Sequence, residues 1–223
     1  MNKSYFITGN DTNVGKTWVT ITLMHYFKQQ GLSVVGMKPV ATGCDLIAGR
    51  RQNTDALLMQ QYASIPLAYE QINPHAYELP VSPHLADSQN PVDLNNLLVQ
   101  FNALQKLADI VVVEGAGGWY TPVNATQDMS DLAKLLAIPV ILVVAIRLGC
   151  INQAKLTYQA IVQSGAVCQG WIGVCVEPEM LMQDENIASI NTALKLPLLG
   201  ILPYQFKADF NVLAKKIKNI EPF

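Results

Sequence analysis

The chain has 223 residues, of which 50% are hydrophobic and 14% are charged, and its formal net charge is -2. This length suits one α/β domain, which we predict to span residues 1–223. Because no basic excess would attract nucleic acid and no uncharged apolar run is long enough to cross a bilayer, we expect neither partner; we expect a soluble, cytoplasmic protein that binds small molecules.

Short apolar runs alternate with longer amphipathic segments along the chain. In the first amphipathic segment, residues 16–30, apolar side chains recur at helical spacing, and Gly31 follows as a stop signal. The alternation predicts βαβ units, and therefore an α/β fold with a mostly parallel sheet flanked by helices on both faces. The predicted strands are residues 4–8, 33–37, 109–113, 139–145, 170–174 and 198–202.

Three segments suggest how this sheet is arranged. The runs 110–113 and 140–144 lack apolar/polar alternation, which predicts central strands that are covered on both faces. The segment 63–91 contains five prolines and predicts an irregular excursion over one end of the sheet. Ligands of open α/β sheets gather beyond the carboxyl ends of the strands, so we expect the loops at that end to surround the site.

Residues 9–17 resemble a phosphate-binding loop between a strand and a helix, with the sequence Gly9-Asn10-Asp11-Thr12-Asn13-Val14-Gly15-Lys16-Thr17. Such a loop needs converging backbone N–H groups, a helix N-terminus, a lysine for the terminal phosphates and a hydroxyl for Mg²⁺. The usual spacing places a glycine at Asn10. We expect asparagine to preserve the turn, because it enters left-handed conformations easily. The alternative is an ordinary strand-to-helix turn that contains glycines.

Three charged residues follow predicted strands or open a helix. Glu114 comes directly after the strand 109–113, where an acid either binds a nucleotide-bound Mg²⁺ or is a solvated cap. Lys38 follows the strand 33–37, where a lysine either serves anionic chemistry or is a surface charge. Asp55 opens a helix, and it either favours the positive helix end or binds metal. The glycines after Glu114 allow the backbone to approach a ligand closely.

A last candidate site lies at residues 147–152, where the chain leaves the strand 139–145 and enters a helix. Free amides at a helix start can hold a carboxylate, Gly149 permits close approach, and Asn152 offers a side-chain amide. The alternative is an ordinary strand-to-helix loop.

Taken together, these motifs closely resemble the dethiobiotin synthetase family. The matching segments are Gly9 to Thr17, Lys38-Pro39-Val40-Ala41-Thr42-Gly43, Asn53-Thr54-Asp55-Ala56, Val81-Ser82-Pro83-His84, Val113 to Trp119 and Leu148-Gly149-Cys150-Ile151-Asn152. The resemblance implies a P-loop NTPase-like fold and a homodimer with the active site at the interface. It also implies the joining of 7,8-diaminopelargonic acid, carbon dioxide and ATP into dethiobiotin, ADP and phosphate, with Mg²⁺ as cofactor.

The resemblance also implies roles for individual residues. Lys38 and Lys16 would be catalytic, and Thr17, Asp55 and Glu114 would bind the metal. The diamine would contact Thr42, Gly117, Gly118, Leu148, Gly149 and Asn152, the last three near its carboxylate tail and from the partner subunit. The nucleotide would contact Asp11, Thr12, Asn13, Val14, Gly15, Lys16, Thr17, Trp18, Asp55, Glu114, Gly115, Ala116, Gly117, Pro203, Tyr204 and Gln205.

Two positions depart from the family pattern. Asn13 stands where the family often has a glutamate, and Val174 stands where it has an asparagine that reads adenine. Valine cannot hydrogen-bond a base edge, so recognition passes to backbone groups, to Glu177 or to the loop 203–205.

Two other functions would share the phosphate loop. A glutamine-dependent amide ligase would need a glutaminase domain, for which 223 residues leave no room. A switch or partitioning ATPase often has an extra lysine early in the phosphate loop, which is absent between Thr8 and Asn13. A GTPase-like switch would have an Asn-Lys-x-Asp motif, which is absent from this sequence.

Overall fold

A computed structural model describes residues 3–218 and 220. Its strands, in chain order, are β1 (Lys3–Gly9), β2 (Val34–Met37), β3 (Val40–Ala41), β4 (Asp45–Ile47), β5 (Arg50–Gln52), β6 (His75–Ala76), β7 (Ile110–Glu114), β8 (Val140–Ile146), β9 (Cys168–Cys175) and β10 (Leu198–Leu202). Its helices are α1 (Lys16–Gln29), α2 (Thr54–Tyr62), α3 (Tyr69–Ile72), α4 (Pro83–Ala86), α5 (Leu94–Gln105), α6 (Met129–Leu136), α7 (Cys150–Gln163), α8 (Gln183–Leu194) and α9 (Phe210–Ala214). These elements match the predicted alternation of strands and helices.

Six strands form one parallel sheet in the order β10-β9-β8-β1-β7-β2. Each predicted strand is present in it, with bounds that differ by two residues at most. Strands β7 and β8 lie inside the sheet, and every one of their residues is buried. The prediction of central strands covered on both faces is therefore confirmed, because only helices on both sides can hide such continuous apolar runs.

Two hydrophobic clusters lie on the two faces of the sheet. One cluster joins it to α5, α6, α7 and α8, with Phe101, Leu132 and Ile161 among its buried side chains. The other joins it to α1, α2, α3 and α9, with Leu23 and Met59 among its buried side chains. The sheet is therefore a rigid middle layer, and its carboxyl edge fixes the loops that follow the strands.

Residues between β2 and α5 form more regular structure than the sequence predicts. Strand β3 pairs in parallel with β6, and β4 pairs with β5 as an exposed antiparallel hairpin. The segment 63–91 contains β6 and the short helices α3 and α4. As expected, it covers one end of the main sheet, because Val81 and Pro83 line a cavity together with the loop after β7. Within the described residues, no helix is long and apolar enough to cross a membrane.

Candidate functional site

The phosphate loop, residues 9–17, connects the buried strand β1 to the N-terminus of α1. Its left-handed residues are Asn13, with a φ of 56°, and Gly15, with a φ of 91°. The turn is preserved, as expected, but Asn10 is not left-handed, so the reason offered for its tolerance is wrong. The side chain of Asn10 donates to Oε1 of Gln153 over 2.9 Å and accepts from the backbone N–H of Ala145 over 3.4 Å, so it joins the loop to β8 and α7.

The phosphate loop is held in place by its packing against the protein core. Val14 is fully buried, and a Cβ on Gly9 would lie 2.5 Å from Cγ2 of Val14. A side chain at position 9 would thus collide with the loop itself. The backbone N–H groups at the start of α1 have no partner within the helix and are available to an anion.

Lys16 folds back over the loop. Its ammonium group donates to the carbonyl oxygen of Asp11 over 2.8 Å. Burial, reinforced by the charge of Lys38, lowers the pKa of Lys16 to about 8. The ammonium groups of Lys16 and Lys38 lie close together in a largely buried site. Their combined positive charge favours the binding of a polyanion there.

Glu114, at the end of β7, lies at the centre of the charged cluster. Its Oε1 accepts from the hydroxyl of Thr17 over 3.0 Å and from the ammonium of Lys38 over 2.5 Å. Lys38 also donates to Oδ2 of Asp55 over 3.2 Å. The side chains of Lys38 and Glu114 are almost fully buried, so neither is a solvated surface group. The alternatives of a cap for Glu114 and a surface charge for Lys38 are thereby excluded.

The charge of Lys38 is held by its neighbours. Burial on its own lowers the pKa of this lysine, but the carboxylates of Glu114 and Asp55 outweigh that effect and raise the pKa above its ordinary value. These carboxylates thus favour the protonated, positively charged form of Lys38 beside the phosphate loop. Asp55 also lies in the first turn of α2, so the two explanations offered for it are compatible.

The cluster fits a magnesium ion that arrives with a nucleotide. Within the described part of the chain, Oε2 of Glu114 is buried without a hydrogen-bond partner, beside the hydroxyl of Thr17. No group of three or more His, Cys, Asp or Glu side chains suited to a metal occurs among the described residues. Two carboxylates and a hydroxyl are a typical protein share for Mg²⁺, which takes its other ligands from water and phosphate.

One cavity of about 500 Å³ brings most of the predicted site together. It is lined by Thr12, Asn13, Gly15, Lys16, Thr17, Trp18, Lys38, Ala41, Thr42, Asn53, Thr54, Asp55, Leu58, Glu114, Ala116 and Gly117. Lys16 and Lys38 thus face the same space. Ala41 and Leu58 also line this cavity, but they were not predicted, because their apolar side chains carry no chemical signal.

A second cavity, of about 540 Å³, shares Thr12, Thr42, Ala116 and Gly117 with the first. It extends past Gly118 and is further lined by Pro80, Val81, Ser82, Pro83, Tyr120, Thr121 and Pro122. The shared residues give a small molecule a continuous path to the phosphate loop. Tyr120, Thr121 and Pro122 were not predicted, since nothing in a loop sequence shows which neighbour it will meet.

A third cavity, of about 240 Å³, lies on the other side of the phosphate loop and is lined by Asn13, Gly15, Trp18, Val174, Cys175, Val176, Tyr204 and Gln205. Val174 points into the phosphate loop, because a Cβ on Gly15 would lie 2.8 Å from its Cγ1. Glu177 and Pro203 were also predicted to contact the base, but neither residue lines this cavity.

The glycines after Glu114 make close contacts with protein atoms. A Cβ on Gly115 would lie 3.2 Å from Phe6 and Met129, and one on Gly117, whose φ is 60°, would lie 2.3 Å from Oγ1 of Thr121. Gly118 is open by comparison, and its N–H donates to the hydroxyl oxygen of Thr121 over 2.8 Å. Close packing against protein atoms is thus a further reason for glycine at positions 115 and 117, and the close approach of this backbone to a ligand stays a prediction.

The segment 147–152 is arranged differently from the other candidates. Leu148 is 95% exposed, and Gly149, with a φ of 90°, precedes α7. Leu148, Gly149 and Asn152 line none of the three cavities described above. Arg147, however, donates to Oδ2 of Asp11 over 2.9 Å, so this segment is attached to the phosphate loop.

Comparison with known proteins agrees with this geometry. A family model described as an AAA domain matches residues 3–210. ATP-dependent dethiobiotin synthetase BioD of Aromatoleum aromaticum is 40% identical over 209 residues, which cover 93% of each chain. BioD of Xylella fastidiosa strain M12 is 43% identical and covers 90% of each chain.

Solved structures support the fold alone. The septum site-determining protein MinD of Pyrococcus horikoshii, complexed with Mg-ADP, aligns with a TM-score of 0.57 at 14% identity and covers 91% of this chain and 82% of its own. The MinC:MinD complex of Aquifex aeolicus aligns with a TM-score of 0.60 at 16% identity and covers 96% and 87%. The fold is thus the P-loop NTPase fold, and the extended similarity to the BioD enzymes shows that this chain belongs to the ATP-dependent dethiobiotin synthetase family.

Proposed function

We propose that this protein is an ATP-dependent cyclo-ligase that converts 7,8-diaminopelargonic acid and carbon dioxide into dethiobiotin, a step of biotin synthesis. One amine of the substrate captures carbon dioxide as a carbamate and loses a proton. A carbamate oxygen then attacks the γ-phosphorus and releases ADP. The second amine attacks the carbonyl carbon of the mixed anhydride, and phosphate leaves as the cyclic urea closes.

The phosphate loop would hold ATP. Backbone N–H groups from residues 11–17 would surround the phosphates, and Lys16 would leave the carbonyl of Asp11 to contact the β- and γ-phosphates. Trp18, Tyr204 and Gln205 line the neighbouring 240 Å³ cavity and would surround the base of the nucleotide. Gln205 already accepts from the N–H of Asp209, which orients its amide group.

Thr17, Asp55 and Glu114 would hold Mg²⁺, and the buried, unpartnered Oε2 of Glu114 supports this assignment. The ion would neutralise charge on the phosphates during transfer. Lys38 would contribute the second neutralising charge. Its ammonium group lies between Glu114 and Asp55, at the boundary between the phosphate loop and Thr42. A fixed positive charge there stabilises the carbamate and the transferring phosphoryl group.

The 540 Å³ cavity would receive the diamine, with Thr42, Gly117 and Gly118 near its reacting end. Its carboxylate tail would meet Leu148, Gly149 and Asn152 of a second subunit. Because these residues line none of the cavities described in their own subunit, we infer a homodimer in which each active site lies at the interface. We also infer one domain for the whole chain and Mg²⁺ as its cofactor.

The observation that carries this proposal is the meeting of Lys16, Lys38, Glu114 and Asp55 in one cavity. It is tested by measuring phosphate release over many turnovers with ATP and Mg²⁺. Release should require both 7,8-diaminopelargonic acid and bicarbonate, and dethiobiotin should appear in equal amount. Phosphate release that ignores both compounds would instead support a switch or partitioning ATPase, the other function that this fold permits.

A further inference from the structure

A chain of buried and partly buried hydrogen bonds connects the backbone of Lys38 to the helix of Asp55. The amide of Asn73 donates to the carbonyl oxygen of Lys38 over 2.7 Å and to that of His75 over 3.2 Å. The hydroxyl of Tyr69 donates to Oδ1 of Asn73 over 2.7 Å. The same hydroxyl accepts from the backbone N–H of Asn53 over 2.7 Å.

This chain connects the two segments that carry the charged cluster. Asn53 is the N-cap of α2, and its side chain accepts from the N–H of Asp55 over 3.0 Å. Lys38 is fixed at the other end, where its own N–H also donates to the carbonyl oxygen of Ile72 over 2.8 Å. Tyr69 and Asn73 thus connect the backbone of Lys38 to the N-cap of the helix that carries Asp55, whose carboxylate lies 3.2 Å from the ammonium of Lys38.

Each polar group in the chain has a defined role. Asn73 uses both amide hydrogens and its oxygen, and Tyr69 uses its hydroxyl as donor and acceptor. Both residues are buried, and neither lines a cavity of the site. A buried network with all its partners present selects one arrangement, because any displacement leaves polar groups unpaired.

We propose that Tyr69 and Asn73 are positioning residues, which act on catalysis by fixing Lys38 relative to Asp55. The proposal rests on the function proposed above. It predicts that loss of the network slows turnover and leaves nucleotide binding intact, because the phosphate loop belongs to β1 and α1 and makes none of these bonds. A misplacement of about 1 Å at a reacting centre costs up to roughly 100-fold in rate.

The test is Tyr69→Phe, which keeps the ring and removes the hydroxyl. We expect kcat per nucleotide-binding site to fall about 10-fold to 100-fold, with the dissociation constant for ATP within about twofold of that of the unaltered protein. Tyr77→Phe is the matched control. Its hydroxyl is also buried and bonded, to the carbonyl oxygen of Asn90 over 2.7 Å and to His75, but it touches neither Lys38 nor Asn53.

Counting active sites by nucleotide binding separates positioning from simple loss of folded protein. An unchanged kcat in Tyr69→Phe, an equal fall in Tyr77→Phe, or a loss of ATP affinity that matches the loss of kcat would overturn the proposal. If Tyr69→Phe does not fold, Asn73→Asp serves instead. This substitution keeps the shape of the side chain and the acceptor for Tyr69, and it removes the donor to Lys38. We therefore again expect a lower kcat with an unchanged dissociation constant for ATP.

A crystal structure of Tyr69→Phe distinguishes this proposal from the function on which it rests. If the unaltered protein shows no turnover with the diamine and bicarbonate, the proposed function fails, but the structure still reports on positioning. A Lys38 to Asp55 separation longer than 3.2 Å, or a turned Lys38 backbone, would support the proposal. An unmoved pair would contradict it.

Discussion

Lys38 is a buried cation with two acidic partners, Glu114 and Asp55. Desolvation of such charges costs free energy, so a functional role would explain why they are buried here. Burial of an ion pair gains little stability, because desolvation offsets the attraction between the charges. In the proposed reaction, the two carboxylates favour a positively charged Lys38 at the point where the carbamate is phosphorylated. The same carboxylates would hold the metal, so the cluster would place two positive charges, Lys38 and Mg²⁺, beside the anionic reactants.

Lys38→Gln tests this charge. Glutamine retains hydrogen-bond donors for Glu114 but loses the positive charge, so we expect kcat to fall by about two to three orders of magnitude with ATP affinity largely kept. Steady-state kinetics and calorimetric ATP titration measure the two quantities. Lys106→Gln, at an exposed position after α5, is the control and should behave like the unaltered protein. Near-normal turnover in Lys38→Gln would remove the lysine from the mechanism.

Glu114→Gln tests the metal assignment. The amide keeps the size of the side chain and can still accept from Thr17, but it binds Mg²⁺ far more weakly than a carboxylate does. We expect the Mg²⁺ concentration at half-maximal rate to rise by about 10-fold or more. The measurement is a magnesium titration of turnover at saturating ATP. A titration curve that does not move would mean that Glu114 is not a ligand.

The phosphate loop shows how far local sequence determines an element. Its position between β1 and α1 was predictable, because the glycines, the lysine and the hydroxyl follow an apolar run. The backbone detail was not. Asn13 takes the left-handed conformation, while Asn10 uses its side chain to bind Gln153, 143 residues away along the chain. A contact between such distant residues leaves no trace in local periodicity.

Gly15→Ala tests the backbone of this loop. The substitution forces a Cβ onto a residue with a φ of 91° and places it 2.8 Å from Val174. We expect the strain, about 1–2 kcal/mol, to reduce ATP affinity by roughly 10-fold or more. Gly31→Ala is a matched control, because Gly31 has a φ of 81° but nothing within 4 Å of an added Cβ. It should lower stability and leave ATP affinity unchanged; equal ATP affinities for the two variants would contradict the account.

The long elements and the short ones differ in how well the sequence predicts them. The six strands of the main sheet follow from continuous apolar runs, and α1 follows from its helical spacing. The pairs β3–β6 and β4–β5 contain only two or three residues per strand, too few to show any period. The turn between β4 and β5 places Ala48 at a φ of 49°, a conformation that alanine does not signal.

The candidate site also has a part that the sequence predicts and a part that it does not. Lys16, Lys38 and Glu114 were predicted to lie together, because parallel strands deliver their following loops to one edge of the sheet, and the family resemblance placed Asp55 with them. All four line one cavity. The hydrogen bonds of Tyr69 and Asn73 were not predicted. They belong to the segment 63–91, where prolines interrupt the pattern and each contact depends on the three-dimensional path of the chain.

At the level of the whole protein, the reason to expect a dimer is that Leu148, Gly149 and Asn152 line none of the three cavities described above. Leu148 is almost fully exposed, although it is a large apolar residue in a segment that matches the family pattern. Arg147 ties the same segment to the phosphate loop of its own subunit. A dimer would therefore connect the nucleotide of one subunit to the substrate tail of the other.

Subunit mixing tests this arrangement. In Asn152→Glu, a carboxylate at the proposed tail site would repel the substrate, and Lys38→Gln would lack the catalytic charge. If each site uses residues from both subunits, equal mixing of the two inactive variants restores one intact site in each mixed dimer, which is about a quarter of full activity. The measurement is turnover after unfolding and refolding the mixture. No recovery, with mixed dimers shown by mass spectrometry, would place each site within one subunit.

The most direct measurement follows oxygen from carbon dioxide to phosphate. In the proposed reaction, one carbamate oxygen bonds to the γ-phosphorus and leaves with it when the ring closes. Turnover with ¹⁸O-labelled carbon dioxide, over a time too short for exchange with water, should therefore yield inorganic phosphate that contains one ¹⁸O atom and dethiobiotin that contains one in its carbonyl group. Unlabelled phosphate would show that water, not a carbamate, attacks ATP, and would contradict the activation of carbon dioxide at this site.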